Sequence, residues 1–331
     1  MKKPTIYDVS RMAGVSIATV SRVLNTPDKV NDQTRQLVLA AIRDLEYKPL
    51  LEARIRSSKD VRRICVMAPY FTAPSFVQRL RGVANALAGT NCELIVFSVT
   101  SLGHLNHFIE TLDLRAKIDG LISLSLPMKD EYIGRVEAAG VEVVLVEYPQ
   151  ARVSSVEIDD FGGGRLAADF MLRKGHCRLG FVGDLKSPDY SVQPIIRRLS
   201  GFREGVLAGG WSLSDQQIYE APYDVELTRS LIRDVLRRPD RPTAIFSATD
   251  MQALGVIRAA RDMNLCVPQD IAVMGFDDLD LADYIGLTTI RQHLDESGRI
   301  AVELLLSRIE GPDRPVQHIH LPLQIVERDT V

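Results

Sequence analysis

The sequence is poor in residues that would form covalent cross-links or a metal centre. It has four cysteines, namely Cys65, Cys92, Cys177 and Cys266. They are widely spaced, they form no C-x-x-C pair, and most have apolar neighbours, so we expect reduced thiols that pack in the interior. The pairs His104/His107 and His318/His320 have no cysteine or carboxylate near them in a known metal-binding pattern. We therefore expect no metal ion and no other cofactor.

Long hydrophobic runs are also missing. No apolar stretch reaches the length of a membrane-spanning helix, and the chain turns polar after residues 1–4, where a signal peptide would continue. We therefore expect a cytoplasmic protein without a membrane partner. With 331 residues, 46% of them apolar and 25% charged, the chain suits a small domain plus one large or two medium domains.

Charge is distributed unevenly along the chain. Residues 1–63 contain five lysines and eight arginines against seven acidic residues, a net charge of +6, and the remainder carries −9. The whole-chain net charge of −3 hides this difference. A basic segment joined to an acidic body is the distribution expected for a phosphate-contacting module attached to a domain that does not touch nucleic acid.

The first 45 residues have the pattern of three short helices, the first two joined through Gly14. Apolar residues recur at intervals of three and four, as on the buried face of a helix. The predicted core consists of Val9, Met12, Ala13, Val15, Val20, Val23, Leu24, Val38, Ala41, Ile42 and Leu45. Two helices of this size and spacing are typical of a helix-turn-helix, which lays its second helix in the DNA major groove. The alternative is a three-helix packing module without nucleic acid.

Residues outside these apolar stripes are available to face DNA. Residues 16–22 combine small side chains, hydroxyls that reach phosphates, and the guanidinium of Arg22, which can bond a guanine edge bidentately. We expect Ile17, Ala18 and Arg22 to read bases. The residues expected to position the DNA backbone are Thr5, Tyr7, Ser16, Thr19, Ser21 and Asn25.

From residue 62 short β-branched strands alternate with helical stretches. One series of predicted strands covers residues 63–67, 93–97, 120–124 and 141–146, and a second covers 179–182, 244–246 and 271–275. Apolar strands that are each followed by a helix predict parallel sheets buried on both faces. We expect two α/β halves with a cleft between them, because such sheets bind ligands beyond the carboxyl ends of their strands.

Short sequence motifs along nearly the whole chain resemble those of a known family and occur in the same order. They are Thr5-Ile6-Tyr7-Asp8-Val9, Ala13-Gly14-Val15-Ser16, Thr19-Val20-Ser21-Arg22-Val23-Leu24-Asn25, Tyr47-Lys48-Pro49, Gly175-His176, Arg198-Leu199-Ser200-Gly201-Phe202, Val267-Pro268-Gln269-Asp270, Gly275-Phe276-Asp277-Asp278, Leu287-Thr288-Thr289-Ile290 and Glu327-Arg328-Asp329-Thr330. With these motifs in this order, the chain resembles the lactose-repressor (LacI/GalR) family of bacterial transcription regulators. Each motif is weak alone, but the ordered run is highly specific.

The resemblance implies the fold class and the division of the chain. It implies an N-terminal all-α helix-turn-helix head over residues 1–48 and a hinge helix or linker over 49–60. Residues 61–331 would form an α/β periplasmic-binding-protein-like core of two parallel-sheet subdomains for effector binding and dimerisation. In this family the chain crosses back near its end. Subdomain one would then comprise about 61–160 with 292–320, and subdomain two about 161–291 with 321–331.

Polar and aromatic residues at predicted strand ends, or in the loops that follow, are candidates to line the cleft. They are Tyr70, Phe76, Glu147, Arg198, Tyr223, Thr249 and Asp277. A sugar needs this mixture, because its C–H faces stack on aromatic rings and its hydroxyls need acceptors and a bidentate donor. By resemblance, Arg198 matches a ligand-binding arginine, Asp277 a hydroxyl-binding aspartate and Tyr223 a capping aromatic. The alternatives are a surface ion pair for Arg198, a turn cap for Asp277 and simple packing for Tyr223.

Two cleft positions depart from the family's habit. Thr249 stands where many members have asparagine, and Tyr70 stands where an aspartate is common. The exchange removes hydrogen-bonding capacity and adds an aromatic ring. It favours a less usual sugar, a sugar phosphate or a less hydroxylated ligand.

The hinge segment also differs from the family pattern. In the family a short helix forms here on DNA and inserts a leucine into the minor groove. Arg56 stands at the leucine position, and we expect Arg54 and Arg56 to contact DNA, with Arg56 reading a narrow, A·T-rich minor groove by charge. The alternatives are a register in which Ile55 is the inserted residue, and a disordered linker.

Two other function classes were weighed. Residues 162–167 fit G-x-G-x-x-A after a possible strand at 153–158, with Asp184 near the position of a ribose-binding carboxylate, which is the pattern of an NAD-dependent dehydrogenase. Asp159 and Asp160 directly before the first glycine would repel a pyrophosphate, and neither a P-loop nor a convincing nucleophile elbow is present. The second alternative, a sugar-binding protein without a DNA role, does not explain the basic N-terminal segment.

We therefore expect a sequence-specific DNA-binding transcriptional regulator, a repressor and not an enzyme. Its partners would be double-stranded, pseudo-palindromic operator DNA, a second copy of the chain in a homodimer, and a sugar-like effector that controls it allosterically. It would lie on the nucleoid when bound to DNA. The sequence leaves open the effector, the operator and whether the effector releases or promotes DNA binding.

Overall fold

A computed structural model describes residues 4–25, 30–45, 47, 61–112, 118–186 and 188–331. The chain divides into two compact units, Met1–Val61 and Arg62–Val331. The predicted domain boundaries at residues 48 and 60 fall outside the described residues and stay predictions. Within the described ranges no helix is long and apolar enough to cross a bilayer.

The described residues of the first unit form three helices: α1 (Ile6–Ala13), α2 (Ile17–Asn25) and α3 (Asp32–Asp44). Gly14 ends α1 at φ 66°, a left-handed conformation that glycine adopts without strain. A Cβ atom there would meet nothing within 4 Å, so the backbone conformation, not crowding, favours glycine. Asn31 begins α3, where its side chain accepts a hydrogen bond from the Thr34 N–H at 2.8 Å.

A small apolar cluster holds these helices together. Val9, Val20, Val23, Val38 and Ala41 are buried, as predicted, and Ala13, Val15, Leu24, Ile42 and Leu45 pack against them. The prediction for Met12 is wrong, since 52% of it is exposed. Tyr47 was not predicted and is 8% exposed. It lies beyond α3, where helical periodicity no longer indicates which side chains are buried.

The second unit alternates strands and helices. The first half contains β1 (Arg62–Ala68), α4 (Pro74–Leu87), β2 (Cys92–Ser98), α5 (Leu102–Glu110), β3 (Gly120–Leu124), α6 (Asp130–Ala138), β4 (Glu142–Val146) and β5 (Ser154–Ile158). The second half contains α7 (Asp160–Arg173), β6 (Leu179–Gly183), α8 (Pro194–Ala208), a 3-10 turn (Asp215–Gln217), β7 (Ile218–Glu220), α9 (Val225–Leu236), β8 (Ala244–Ser247), α10 (Asp250–Asp262), β9 (Ala272–Met274), α11 (Asp280–Tyr284) and β10 (Thr289–Arg291). The chain closes with α12 (Leu294–Glu310), β11 (His318–Leu321) and β12 (Gln324–Val326).

Two parallel sheets form the halves of this unit, which confirms the predicted fold class. The first has the strand order β11-β5-β4-β3-β1-β2 and the second β7-β6-β8-β9. Every residue of β3 and β6 is buried, because helices cover both faces of each sheet. The short strands β10 and β12 pair separately and antiparallel.

The chain passes between the halves more than once. After β10 it returns to the first sheet, where α12 packs into the same apolar cluster as α4 and β11 pairs with β5 through His318 and Ser155. It then leaves again, and Leu323, Ile325 and Val331 pack on the core of the second half. The last forty residues therefore contribute to both halves of the cleft.

Candidate functional site

In the first unit, the beginning of α2 is the exposed surface predicted to face DNA. Ser16, Ile17, Ala18 and Arg22 are exposed, and Thr19 and Ser21 are partly exposed. Ser16 Oγ accepts a hydrogen bond from the Thr19 N–H at 3.1 Å, and the two hydroxyl oxygens lie 2.9 Å apart. The first turn of α2 thus brings together the hydroxyls and the small side chains that the sequence pattern selected.

The other predicted DNA contacts are placed less completely. Tyr7 is 64% exposed on α1. The Thr5 hydroxyl and N–H both donate to Asp8 Oδ2, at 2.7 and 2.9 Å, so a phosphate would compete with this carboxylate for the Thr5 donors. Asn25 ends α2, and its side chain lies outside what the structure describes, as do Arg54 and Arg56.

In the second unit, a cleft of about 580 Å³ opens where the carboxyl ends of the two sheets meet. Its lining includes each of the seven predicted residues: Tyr70, Phe76, Glu147, Arg198, Tyr223, Thr249 and Asp277. Tyr70 follows β1, Glu147 follows β4 and Asp277 follows β9, so the ends of parallel strands deliver these side chains to one place. The lining also includes Arg79, Ser125 and Gln292, which the sequence did not single out.

Arg198 is fixed on the second-half wall of the cleft. It is 3% exposed, its Nε donates to Asp160 Oδ1 at 2.8 Å, and its Nη1 donates to the Ala248 carbonyl at 2.6 Å. Its Cζ lies 3.6 Å from the centroid of the Phe276 ring. Its Nη2 makes no hydrogen bond to any described residue. The guanidinium is therefore buried, pre-oriented and able to donate further, and it is not a surface ion-pair partner.

Asp277 lies beside Arg198 with hydrogen-bonding capacity to spare. Its Oδ1 accepts from Gln292 Nε2 at 2.5 Å and lies 3.6 Å from Arg198 Nη1. No described residue donates to its Oδ2. Burial raises the pKa of Asp277 to about 7, although the charge of Arg198 and the Gln292 hydrogen bond act in the opposite direction. This carboxyl group can accept hydrogen bonds from a ligand.

Arg79 organises the first-half wall. It is 2% exposed on α4, and it donates to Glu147 Oε1, to Gln292 Oε1 at 3.2 Å and to Ser297 Oγ at 3.1 Å. The Ser125 hydroxyl donates to the other oxygen of Glu147. Burial alone would raise the pKa of Glu147, but Arg79, the Ser125 hydrogen bond and the charge of Arg198 together more than offset this effect and lower the pKa. Arg79 stands on the buried stripe of α4 with Val83, so an arginine at an apolar interval was its sequence signal.

Thr249 and Tyr223 differ in how free they are to bind a ligand. The Thr249 hydroxyl accepts from the Gln252 N–H at 3.2 Å and lies 3.1 Å from Gln252 Oε1, so it caps α10. The Tyr223 hydroxyl is buried and bonds to no described residue, although Ser75 lies nearby. Burial raises the pKa of Tyr223, so this hydroxyl stays a donor. Tyr223, unlike Thr249, offers the cleft an unused polar group.

Two comparisons with known proteins decide the family. Residues 5–49 match the model described as bacterial regulatory proteins, lacI family, and residues 168–331 match a periplasmic binding protein-like domain. The ribose operon repressor of Escherichia coli (strain K12) is 32% identical over 98% of this chain and 98% of its own length. The chain belongs to the lacI family of bacterial regulatory proteins.

Solved structures of lacI-family regulators share the fold. The Lac repressor dimer bound to operator and the anti-inducer ONPF is 27% identical, with a TM-score of 0.71 over 99% of both chains. A complex of the transcriptional regulator CelR with cellobiose is 28% identical, with a TM-score of 0.69 over 99% of this chain and 100% of that one. The predictions of a DNA-binding transcriptional regulator, and not an enzyme, are thereby confirmed.

The glycine run that suggested a dehydrogenase has a packing role in this lacI-family regulator. Gly162, Gly163 and Gly164 lie inside α7, whose N-terminus is capped by Asp159 through the Gly162 N–H at 2.9 Å. A Cβ on Gly164 would lie 2.0 Å from the Arg198 carbonyl oxygen. Gly164 therefore lets α7 and α8 touch, and the Asp159 carboxylate binds the helix N-terminus where a pyrophosphate would lie.

Two expectations about single side chains need correction. His318 and His320 do have a carboxylate neighbour, because the β5–β11 pairing brings Glu157 within 3.7 and 3.6 Å of their Nδ1 atoms. Even so, no three ligating side chains among the described residues are arranged to hold a metal ion. Cys266 is exposed and does not pack in the interior. The carboxylate neighbour of the histidines arises from a contact between segments that are distant in sequence.

Proposed function

We propose that this regulator is a repressor that binds a pseudo-palindromic operator as a homodimer, and that a sugar-class effector in the cleft changes its affinity for DNA. The observation that carries the effector class is the set of unused polar groups in an otherwise satisfied cleft. These groups are Asp277 Oδ2, Arg198 Nη2 and the Tyr223 hydroxyl.

A sugar is the ligand class that complements these groups. One hydroxyl can donate to Asp277 while it or its neighbour accepts from Arg198 and Tyr223. The rings of Tyr70 and Phe76, 6.1 Å apart at 71°, offer apolar surface for the C–H face of a sugar ring. The names of the ribose operon repressor and of the CelR–cellobiose complex support the same class.

On DNA, α2 enters the major groove. Ile17, Ala18 and Arg22 read base edges, and the exposure of all three supports this role. The backbone contacts come from Thr5, Tyr7, Ser16, Thr19, Ser21 and Asn25. Arg54 and Arg56 of the hinge segment 49–60 take the minor groove, and the net charge of +6 over residues 1–63 supports binding to phosphates. The protein acts in the cytoplasm and lies on the nucleoid when bound.

The effector acts by binding the DNA-competent and DNA-incompetent arrangements with different affinity. It shifts their equilibrium only by that difference. Residues from both halves line the cleft, so a ligand there can distinguish two placements of the halves.

A thermal-shift screen of the purified protein against sugars, sugar phosphates and nucleosides tests the effector class. A ligand selective for the native state raises the melting temperature by mass action. We expect a sugar hit that is lost in Arg198→Ala and kept in Arg203→Ala, an exposed arginine on the same helix. A hit that survives Arg198→Ala, or a screen in which only non-sugars bind, would contradict the proposal.

A further inference from the structure

We propose that the effector is uncharged, and that the cleft rejects phosphorylated and other anionic forms of the same sugars. The inference deepens the proposed function and rests on it. It follows from how the charged side chains of the cleft are already paired.

Five charged side chains line the cleft. Two are cations, Arg79 and Arg198, and three are carboxylates, Glu147, Asp184 and Asp277. The remaining lining residues are aromatic, aliphatic, hydroxyl or amide side chains. An anionic ligand would therefore have to be neutralised by one of the two arginines.

Both arginines are already neutralised inside the protein. Arg79 pairs with Glu147, and the side chains are 2% and 8% exposed. Arg198 pairs with Asp160 at 2.8 Å, and the side chains are 4% and 8% exposed. A buried charge is tolerated when it is paired, and breaking such a pair is strongly unfavourable. Because each guanidinium is already neutralised by its own carboxylate, neither is available to neutralise a phosphate.

The groups beside these two ion pairs are acidic, and the lining residues that the structure describes include no further cation. Asp277 has Gln292 as its hydrogen-bond donor, and its nearest cation, Arg198, lies 3.6 Å away and is bonded to Asp160. Near it, Asp250 is fully buried, and its donors among the described residues are neutral, namely the Leu279 N–H and the Thr289 hydroxyl. Burial raises the pKa of Asp250, and the charge of Asp277 raises it further. A phosphate here would lie beside acidic groups whose pKa values are already raised, with no unpaired cation among the described lining residues.

The helix N-termini at the cleft do not reverse this balance. Helices α4 and α8 begin at the lining residues Pro74 and Pro194, and each contributes a partial positive charge of roughly half an elementary charge. The lining also contains the carboxyl groups of Asp184 and Asp277, so the partial charges do not leave the cleft with a net positive charge. Lys186, two residues after Asp184, is already paired with Glu220 at 2.6 Å. The cleft is close to neutral before a ligand binds, which suits a ligand without charge.

Matched pairs of sugars test the inference by thermal shift. The pairs are D-ribose with D-ribose 5-phosphate, D-glucose with D-glucose 6-phosphate, and D-fructose with D-fructose 6-phosphate. For the pair whose sugar binds, we expect the uncharged sugar to raise the melting temperature of the wild type. Its phosphate should bind at least about tenfold more weakly, since an unpaired buried charge is costly.

The variant Glu147→Gln tests whether the phosphorylated sugar is rejected because of its charge or because of its size. It preserves the shape of the side chain and leaves Arg79 without its counter-ion, so the phosphorylated member should gain at least about tenfold in affinity relative to the uncharged one. Glu157→Gln, on the adjacent strand and outside the cleft lining, is the control and should change neither affinity.

Three outcomes would count against the inference, and they are distinguishable. A phosphate that stabilises the wild type as much as its parent sugar overturns the inference but keeps the sugar class. A phosphate still rejected by Glu147→Gln shows that charge is not the cause. If no sugar of either kind shifts the melting temperature, both the proposed effector class and this inference fail.

Discussion

At the scale of single residues, the cleft is built from strained backbone. Ser125, Glu147 and Asp277 have φ values of 54°, 67° and 124°, in the region that glycine normally occupies. Such conformations cost about 1–3 kcal/mol each and persist where the surrounding structure holds them. Here the hydrogen bonds of Arg79 and Gln292 hold them, so the side chains that face the ligand are fixed before it arrives.

Asp277 gives the molecule a testable pH dependence. In an unfolded chain an aspartate ionises near pH 4, whereas burial raises the pKa of Asp277 to about 7 in the folded protein. Its stabilising contribution is complete below about pH 4 and is lost as the pH rises through 7. Between pH 5 and 7.5, the wild type should lose about 2 kcal/mol more stability than Asp277→Asn.

Urea unfolding at several pH values, at one protein concentration, measures this difference. The sole tryptophan, Trp211, lies in the second unit, so its fluorescence follows that unit. If the free energies of unfolding of the wild type and of Asp277→Asn change by the same amount from pH 5 to 7.5, then Asp277 titrates normally in the folded protein.

Arg22 is the residue on which base discrimination is expected to depend. A bidentate contact to guanine discriminates by about 1–3 kcal/mol, so Arg22→Ala should bind the operator and a variant at one base pair with equal affinity. Anisotropy titrations with both duplexes measure this. Arg35→Ala, an exposed arginine of α3 paired with Asp32, is a suitable control. Discrimination that persists in Arg22→Ala would assign base reading to other residues.

At the scale of elements, close helix contacts set the position of Arg198. A Cβ on Gly201 of α8 would lie 1.9 Å from the Phe161 carbonyl oxygen of α7. Overpacking of this kind typically costs 1–3 kcal/mol, so Gly201→Ala should destabilise the protein by about 3 kcal/mol. Gly134→Ala in α6 meets open space and should be neutral or slightly stabilising. Urea midpoints that are equal for the two variants would show that α7 and α8 are not closely packed.

A short segment before α8 joins the two halves of the cleft. The Val192 N–H donates to the Ser125 carbonyl at 2.9 Å, and Tyr190 packs on the core of the first half. We expect hydrogen exchange at the Val192 amide to be protected in the wild type and at least about tenfold faster in Tyr190→Ala. Tyr284→Ala, at a site that is 89% exposed, should leave it unchanged. A Val192 amide that exchanges rapidly in the wild type would contradict this contact.

Elements were easier to predict than the contacts between them. Apolar strands followed by helices indicated the parallel sheets, and their carboxyl ends indicated Tyr70, Glu147 and Asp277. Phe76 and Arg198 were expected at strand ends or in loops, but they lie within helices α4 and α8. The local signal of Arg79 is only its place at an apolar interval of α4, and Gln292 has none, because the partner of a buried polar group is not visible in the local sequence. Arg79 and Glu147 are more than sixty positions apart in the sequence, and only the order of the strands in the sheet brings them together.

At the scale of the whole molecule, the charge is divided between the units according to their roles. The net charge of +6 over residues 1–63 favours contact with phosphates, and the net charge of −9 over the remainder disfavours non-specific binding of nucleic acid. Within the core, the repeated passage of the chain between the halves lets one cleft collect residues from both. Arg198 and Glu147 line the cleft from opposite halves, so we expect a ligand there to contact both halves and to distinguish two placements of them.

The central claim is that a ligand in this cleft controls DNA binding. The most direct measurement is the anisotropy of a labelled operator, selected from random duplexes with the purified protein, with and without a saturating concentration of the sugar found by thermal shift. The account predicts at least a fivefold change in operator Kd for the wild type, within the usual range of allosteric coupling. Arg198→Ala should bind the operator but not respond to the sugar. An operator Kd unchanged by saturating sugar in the wild type, or an Arg198→Ala variant that responds fully, would contradict the account.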